Sequence, residues 1–393
     1  MAAPAPVKKK EFKPTFSPDQ QAAVDAIMDG TGPFFLTGEA GSGKSYIIKY
    51  LRQTLPNVSV TATTGMAAQL IEGATLHSWA SIHPQLGVVN SFPAKMRVVE
   101  TETLVVDEVS MMSASLLDQL WERFRKSEHT PKVILVGDFL QLPPVEGQFA
   151  FQSPIWQDVT MLRLTTNHRQ KGDDGFLDAL NDLRVGKYSE RLRALLAERT
   201  FAELPDDCTQ LYAHRASVDD LNEEKLEALA GEEAIFEREI WTHPKSVGEV
   251  DYDRFRFPHL LRLKLGARVV LLTNTAAWVN GSTGTVTGIE DNLVKVLLDN
   301  GREVNVPPAV EKLMDAHQET VATANQFPMM LAWALTVHKA QGMTMDRVGV
   351  CLNNHFASGQ TYVALSRCRS KEGLYLTGKF GYVPVSRLVL KYA

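Results

Sequence analysis

Residues 38–45 read GEAGSGKS, and the reading of this stretch decides the fold. It satisfies G-x-x-x-x-G-K-[ST] in full. Gly38, Gly41 and Gly43 let the backbone close tightly, so that N–H groups, that of Ser42 among them, can cradle phosphate oxygens. Lys44 is placed for the β/γ oxygens, and the Ser45 hydroxyl for Mg²⁺. The apolar run PFFLT at 33–37 leads in, and helical periodicity over 45–55 leads out. Strand, glycine loop and helix in that order predict a nucleoside triphosphate site in an α/β domain.

The surrounding chain extends the pattern. VSVTAT (58–63), TLVVDE (103–108) and KVILVGD (132–138) are apolar runs ending in polar residues, with helical stretches between them. Such alternation predicts a parallel sheet covered on both faces. VVDE puts Asp107 at a strand end to hold Mg²⁺, with Glu108 beside it to polarise an attacking water. Hydrolysis by water is favoured over transfer to a hydroxyl, because a kinase would not need Glu108. VGDFLQLPPV (136–145) places Gln141 to report the γ-phosphate. Arg169 and Arg367 are candidates to stabilise charge on the transferred group.

A second round follows. TQLYAH (209–214), VGVCLN (348–353) and GLYLTG (373–378) read as strands of another sheet. Arginines supplied from that half would couple hydrolysis to closure of a cleft. RLKLGARVVLLTN, VNGSTGTVTGIE and NLVKVLLDNGREVNVP are β-rich with NGS, DN and NG turn signals. They predict a small β-barrel, roughly 260–310, inserted in the second domain.

Composition narrows the function. Of 393 residues, 44% are hydrophobic and 22% charged, and no apolar run approaches ~20 residues, so no membrane span is expected. MAAPAPVKKKEFKP at the start is too polar for a secretory signal and reads as a flexible basic tail. Cys208, Cys351 and Cys368 lack metal or disulfide spacing, which fits a reducing compartment such as cytoplasm. The net charge of −5 argues against a passive nucleic-acid coat and leaves room for a local basic channel. DRFRFPHLLRLKLGAR (253–268) interleaves cations with aromatics and reads either as such a channel or as a strand with a solvated face.

FSPDQ (16–20), GEAGSGKS, TATTGMAA (61–68), TLHSWA (75–80), VVDEVSM, VGDFLQLPPV, NHRQ (167–170), LTVHKAQGMT (335–344) and QTYVALSR (360–367) occur here in this order. In this the chain resembles superfamily-one DNA helicases, above all the Pif-one (petite integration frequency) family, with RecD and Dda as cousins. The likeness runs from about 16 to 378. It implies two RecA-like domains with ATP and Mg²⁺ between them, a Src-homology-3-like inserted barrel, and 5′→3′ translocation on single-stranded DNA with action at single/double-strand junctions. The implied organisation is a tail at 1–15, a first domain at 16–160, a second at 161–259 and 311–393, and the barrel at 260–310. A short 81–102 element stands where the family carries its strand-separating wedge. By the same resemblance Gln20 reads adenine and Gly342 approaches the nucleotide through its backbone. Arg169 and Arg367 are the arginine fingers. Thr63, Thr64, His77, Thr336, His338 and Lys339 touch DNA. A monomer is expected. The competing readings are a translocase that hardly unwinds, and a phosphate-loop NTPase that never meets nucleic acid.

Overall fold

The computed structural model describes residues 14–39, 41–71, 73–83, 86–166, 174–243, 252, 255–314, 320–353, 359–381 and 385–392. The chain opens with helix α1 (Pro18–Asp29), for which Pro18 supplies a preset first turn and Gln20 accepts the Ser17 N–H at 3.1 Å. Strand β1 (Phe34–Gly38) follows, then helix α2 (Lys44–Thr54). Strands β2 (Val58–Ala62), β3 (Ala74–Thr75), β4 (Thr103–Asp107), β5 (Lys132–Gly137) and β6 (Thr160–Leu164) complete a sheet of order β3-β2-β4-β5-β1-β6. Every pairing in it is parallel.

Because side chains alternate across a strand, the apolar runs feed two cores. Leu104, Val106, Val133 and Leu135 pack on one face with Leu117, Leu120 and Phe124 of helix α3 (Ala114–Ser127). Val105, Ile134 and Val136 pack on the other with Ile27 of α1 and Ile47 and Leu51 of α2. Each fully buried side chain of this kind contributes about 1.5–3 kcal/mol of transfer free energy. The double cover holds β1 and β4 rigid, so their C-terminal ends present the phosphate loop and the Asp107–Glu108 pair at one edge.

Helix α4 (Asp174–Arg184) leads into a second parallel sheet. Its strands are β7 (Thr209–Tyr212), β8 (Ala334–Thr336), β9 (Val348–Cys351) and β10 (Leu374–Thr377), in the order β8-β7-β9-β10. Helices α5 (Val337–Ala340) and α6 (Gln360–Leu365) lie along this half. Leu142, just past β5, joins Leu180 and Leu183 of α4 and Val363 of α6 in the second core.

Between β7 and β8 come a helix, Ala216–Ala228, and then antiparallel β structure. Strands at 303–306, 293–298, 283–290, 268–271 and 329–331 form one sheet, and 239–242 pairs with 320–326, which pairs with 309–314. With 234–237 against 260–263, β structure runs from 234 to 331, wider than 260–310. Arg268 fixes this block to the second sheet: it is bidentate to Asp299 at 2.7 and 3.1 Å, and its Nε donates to Thr209 of β7. The basic stretch at 253–268 is largely neutralised. Arg256 pairs with Glu311, Arg262 with Glu233 and Glu223, and Lys264 donates to the Leu229 carbonyl. Arg254 lies outside the described residues.

The 81–102 element is an antiparallel pair, Ile82–His83 with Gly87–Val88, followed by helix Phe92–Glu100. Buried Arg97 and Arg123 donate to the Trp79 and Ala80 carbonyls at 2.9 and 2.7 Å and anchor it from below. Leu86 and Phe92 stand out from it, 76% and 74% exposed. The end of the chain also departs from expectation. It packs against the first sheet, where Tyr392 sits 4.7 Å from the Phe151 ring and 5.1 Å from Phe139, with Val389 in the same core.

Candidate nucleotide site and nucleic-acid interface

The phosphate loop has the backbone the sequence requires. Gly41 and Gly43 lie at φ +91° and +89°, a region side chains rarely occupy, and Gly43 caps α2. A Cβ on Gly38 would come within 2.7 Å of the Leu164 carbonyl. Lys44 Nζ donates to the carbonyls of Gly38 and Glu39 at 2.6 and 2.9 Å, folded across the loop it serves. Burial pulls the Lys44 pKa down, opposed by the charges of Asp138, Glu108 and Asp107. Gln20 reaches the loop from α1, donating to the Ser42 carbonyl at 3.0 Å. Its neighbour Asp19 accepts from the Thr165 and Thr166 N–H groups at 2.7 and 2.8 Å. Burial opposes the charge on Asp19, but these bonds outweigh it and hold the carboxyl below its usual range.

Glu108 follows β4 at φ +55°, ψ +42°, the left-handed region, which for a glutamate is a strained position of the kind that clusters at functional sites. Burial, then the adjacent Asp107 charge, push Glu108 up to about 7, against the pull of Lys44, Arg367 and a Gln341 hydrogen bond. Burial also raises Asp107, opposed by the Glu108 N–H, donated at 2.8 Å, and by Lys44. The Ser45 hydroxyl and Asp107 carboxylate are hard oxygen donors. They suit Mg²⁺, which takes one or two protein oxygens and leaves its other positions to phosphate and water. Among the described residues no cluster of three or more His, Cys, Asp or Glu forms a self-sufficient metal cage.

The second half meets this edge directly. Gln341 Nε2 donates to Glu108 Oε2 at 2.9 Å. Arg367 is buried beside it, with Nε on the Val363 carbonyl at 2.9 Å and an Nη on the Ser366 hydroxyl at 2.8 Å. Gly342 adopts φ +76°. A Cβ on Gly281, in the NGSTG turn of the β block, would lie 2.7 Å from Met343 Cβ, so that turn seats on the residues after Gly342. Sequence reasoning missed two participants. Gln341 sits inside the quoted HKAQGMT and could have been singled out. Arg184, bidentate to Asp138 and 3.9 Å from Glu39, ends an ordinary amphipathic helix and gave no signal. Arg169 lies outside the described residues.

The DNA candidates lie at the ends of strands and the starts of helices in both halves. Thr63 donates its hydroxyl to the Glu108 carbonyl at 2.8 Å, tying its position to the carboxylate's backbone. Thr64 Oγ1 accepts from Ala67 N, and Thr336 Oγ1 from Lys339 N, each capping a helix while its hydroxyl proton stays available. Burial lowers the pKa of His77 and His338, which therefore offer neutral donors at neutral pH. Burial, then nearby Arg215, lowers Lys339.

Two family profiles match, one described as an AAA domain over residues 15–204 and one described as a helicase over 297–378. The ATP-dependent DNA helicase Pif1 of Bdellovibrio bacteriovorus is 35% identical over 386 residues, covering 92% of this chain and 88% of its own. The chain belongs to the Pif1 helicase family. The human ATP-dependent DNA helicase PIF1 is 35% identical over 412 residues, 94% of this chain but 62% of the longer human protein. Among solved structures, Pif1 of Bacteroides sp. in complex with ADP-AlF4 matches with a TM-score of 0.84 at 28% identity, covering 97% of this chain and 96% of that one. Bacteroides Pif1 bound to ssDNA matches over the same shares at 28% identity with a TM-score of 0.67. The Pif1 fold thus accounts for both parallel sheets and for the edge where they meet.

Proposed function

We propose that this chain is an ATP-dependent DNA helicase that moves 5′→3′ on single-stranded DNA. The observation that carries the reading is the Gln341–Glu108 hydrogen bond, in a chain of the Pif1 family. It puts a side chain of the second α/β half on the carboxylate that polarises water at the first. The nucleotide lies in the cleft between two RecA-like domains. The loop N–H groups and Lys44 hold its phosphates, and Gln20 meets the base. Mg²⁺, held by Ser45 and Asp107, offsets phosphate charge. Glu108 takes a proton from the attacking water. Arg367, with Arg169, neutralises charge developing on the transferred group.

DNA crosses both halves, held by Thr63, Thr64 and His77 on one side and Thr336, His338 and Lys339 on the other. Such small donors at strand ends bind backbone phosphate without reading sequence, and Thr63 joins them by turning its hydroxyl from the Glu108 carbonyl to the DNA. Closure of the cleft on ATP shifts one grip relative to the other. Through the Thr63–Glu108 bond, a change at the DNA reaches the carboxylate. A Src-homology-3-like barrel in the β block braces the strand path, and exposed Leu86 and Phe92 meet the duplex junction. Stacking opposes separation by ~1.4 kcal/mol per base-pair step, well within one ATP.

The test is strand separation with ATP and Mg²⁺ on two partial duplexes, one with a 5′ tail and one with a 3′ tail, with Glu108→Gln as the inactive control. Unwinding of the 5′-tailed substrate alone is expected. The two-residue strands of the 82–88 pair favour a second reading, a translocase with weak unwinding. That reading wins if single-stranded DNA stimulates ATP hydrolysis while neither duplex opens.

A further inference from the structure

We propose that Arg184 is a positioning residue for hydrolysis, a second-half arginine that acts through Asp138 to orient Gln141. The inference rests on the ATPase reading above and adds to it a residue outside the sequence motifs. Arg184 is the last residue of α4, whose Leu180 and Leu183 pack in the second core. Its side chain is 4% exposed and that of Asp138 is 0% exposed. Nε donates to Asp138 Oδ2 at 2.9 Å and an Nη to Oδ1 at 2.8 Å, the two-point fork that only arginine makes.

Asp138 does more than accept this arginine. It accepts the Leu140 N–H at 3.1 Å and the Gln141 side-chain amide at 3.4 Å, so it sets the turn after β5 and the direction of Gln141. The second half also lies close against the other end of Gln141. Gly359, at φ +78° before α6, lies so close that a Cβ there would come within 2.1 Å of the Gln141 carbonyl. Gln141 belongs by sequence to the first half, and its side chain is held there by Asp138, which Arg184 of the second half clamps, while Gly359 of the second half lies against its carbonyl. The remaining Nη of Arg184 is 3.9 Å from Glu39 of the phosphate loop, which links the same guanidinium to the nucleotide's seat. Motion of α4 therefore turns Gln141 relative to the γ-phosphate.

A buried ion pair is by itself weak support for stability, since neutral replacements of equal volume are often tolerated. Its geometry here serves orientation, and orientation can be tested. The experiment is a double-mutant cycle on single-stranded-DNA-stimulated ATP hydrolysis with the full chain: wild type, Arg184→Lys, Gln141→Ala and the combined variant, each with kcat, KM and a thermal midpoint. Lysine keeps the charge and loses the fork. Arg184→Lys should lower kcat about tenfold with KM within about twofold, Gln141→Ala should do the same, and the combined variant should fall no further than Gln141→Ala alone. Multiplicative losses, about a hundredfold in the combined variant, or wild-type kcat in Arg184→Lys, would overturn the proposal. If Arg184→Lys is unfolded at the assay temperature, the neutral pair Arg184→Met with Asp138→Asn takes its place in the cycle, with the same two outcomes deciding. A wild-type chain that hydrolyses no ATP would overturn the ATPase reading and this proposal with it, whereas a DNA-stimulated wild type with an indifferent Arg184 removes this proposal alone.

Discussion

The two parallel sheets differ most at their C-terminal edges. In the first, β1 runs into glycines at φ +91° and +89° and then into the 11-residue helix α2, which leaves backbone N–H groups free to meet an anion. In the second, β8 runs into the four-residue helix α5, whose first turn Thr336 already caps. One edge is a phosphate receptacle. The other half is a mount for side chains: Gln341 and Arg184 reach across to the carboxylates of the first, and Arg367 lies buried behind them on Val363 and Ser366. Both sheets present polar groups where the strands end, as open α/β sheets do. Only the first carries the glycine loop of a nucleotide site, and on the proposed reading the second finishes a site it does not contain. Binding and turnover should therefore separate by half.

Three substitutions probe that division. The largest effect is expected from Lys44→Ala, which removes the charged donor of the receptacle itself. ATP hydrolysis should fall about 10³-fold, and equilibrium nucleotide binding should weaken with it. Unchanged nucleotide binding would break the contrast.

Next is Gln341→Ala, on the mount. It should lower kcat about tenfold and leave nucleotide affinity intact. It should also move a pH limb. In the proposed role Glu108 acts as a base only when ionised, and its pKa is raised to about 7. So kcat/KM for ATP should fall as the pH drops through about 7. The Gln341 hydrogen bond lowers that pKa, and its loss should carry the limb to higher pH. A limb that stays in place would show that Gln341 does not act on Glu108.

The smallest effect is expected from Gln20→Ala. One neutral hydrogen bond to the loop is worth about 0.5–1.5 kcal/mol, so KM for ATP should rise roughly 2- to 10-fold with kcat nearly constant. A drop in kcat instead would move Gln20 from binding to turnover.

The receptacle was legible in the sequence because it is local. GEAGSGKS spans one strand–loop–helix unit, and VVDE ends one strand, so backbone geometry within a few residues dictates what each side chain can reach. The mount was legible only in part. Gln341 meets Glu108 across 233 residues of chain, and Arg184 meets Asp138 across 46, separations that no local pattern encodes. The β block was seen as β-rich, but its extent was not, because 239–242 pairs with 320–326 far along the chain. The cations of 253–268 left a channel and a solvated strand face both open, because their partners, Glu311, Glu233, Glu223 and Asp299, come from elsewhere in sequence. Tyr392 completes a first-half aromatic cluster from the far end of the chain, which ring content alone could not foretell.

The measurement that tests the division most directly is ATP affinity beside turnover in Arg367→Ala. Arg367 lies wholly on the mount, buried next to Glu108 and held by its own half through Val363 and Ser366. Equilibrium ATP binding within about threefold of wild type, with DNA-stimulated kcat lower by about 10²-fold, is the result expected of a group that acts only on the transition state. A binding loss of the same size as the kcat loss would mean that the second half helps to hold the nucleotide, and the separation of receptacle from mount would fail.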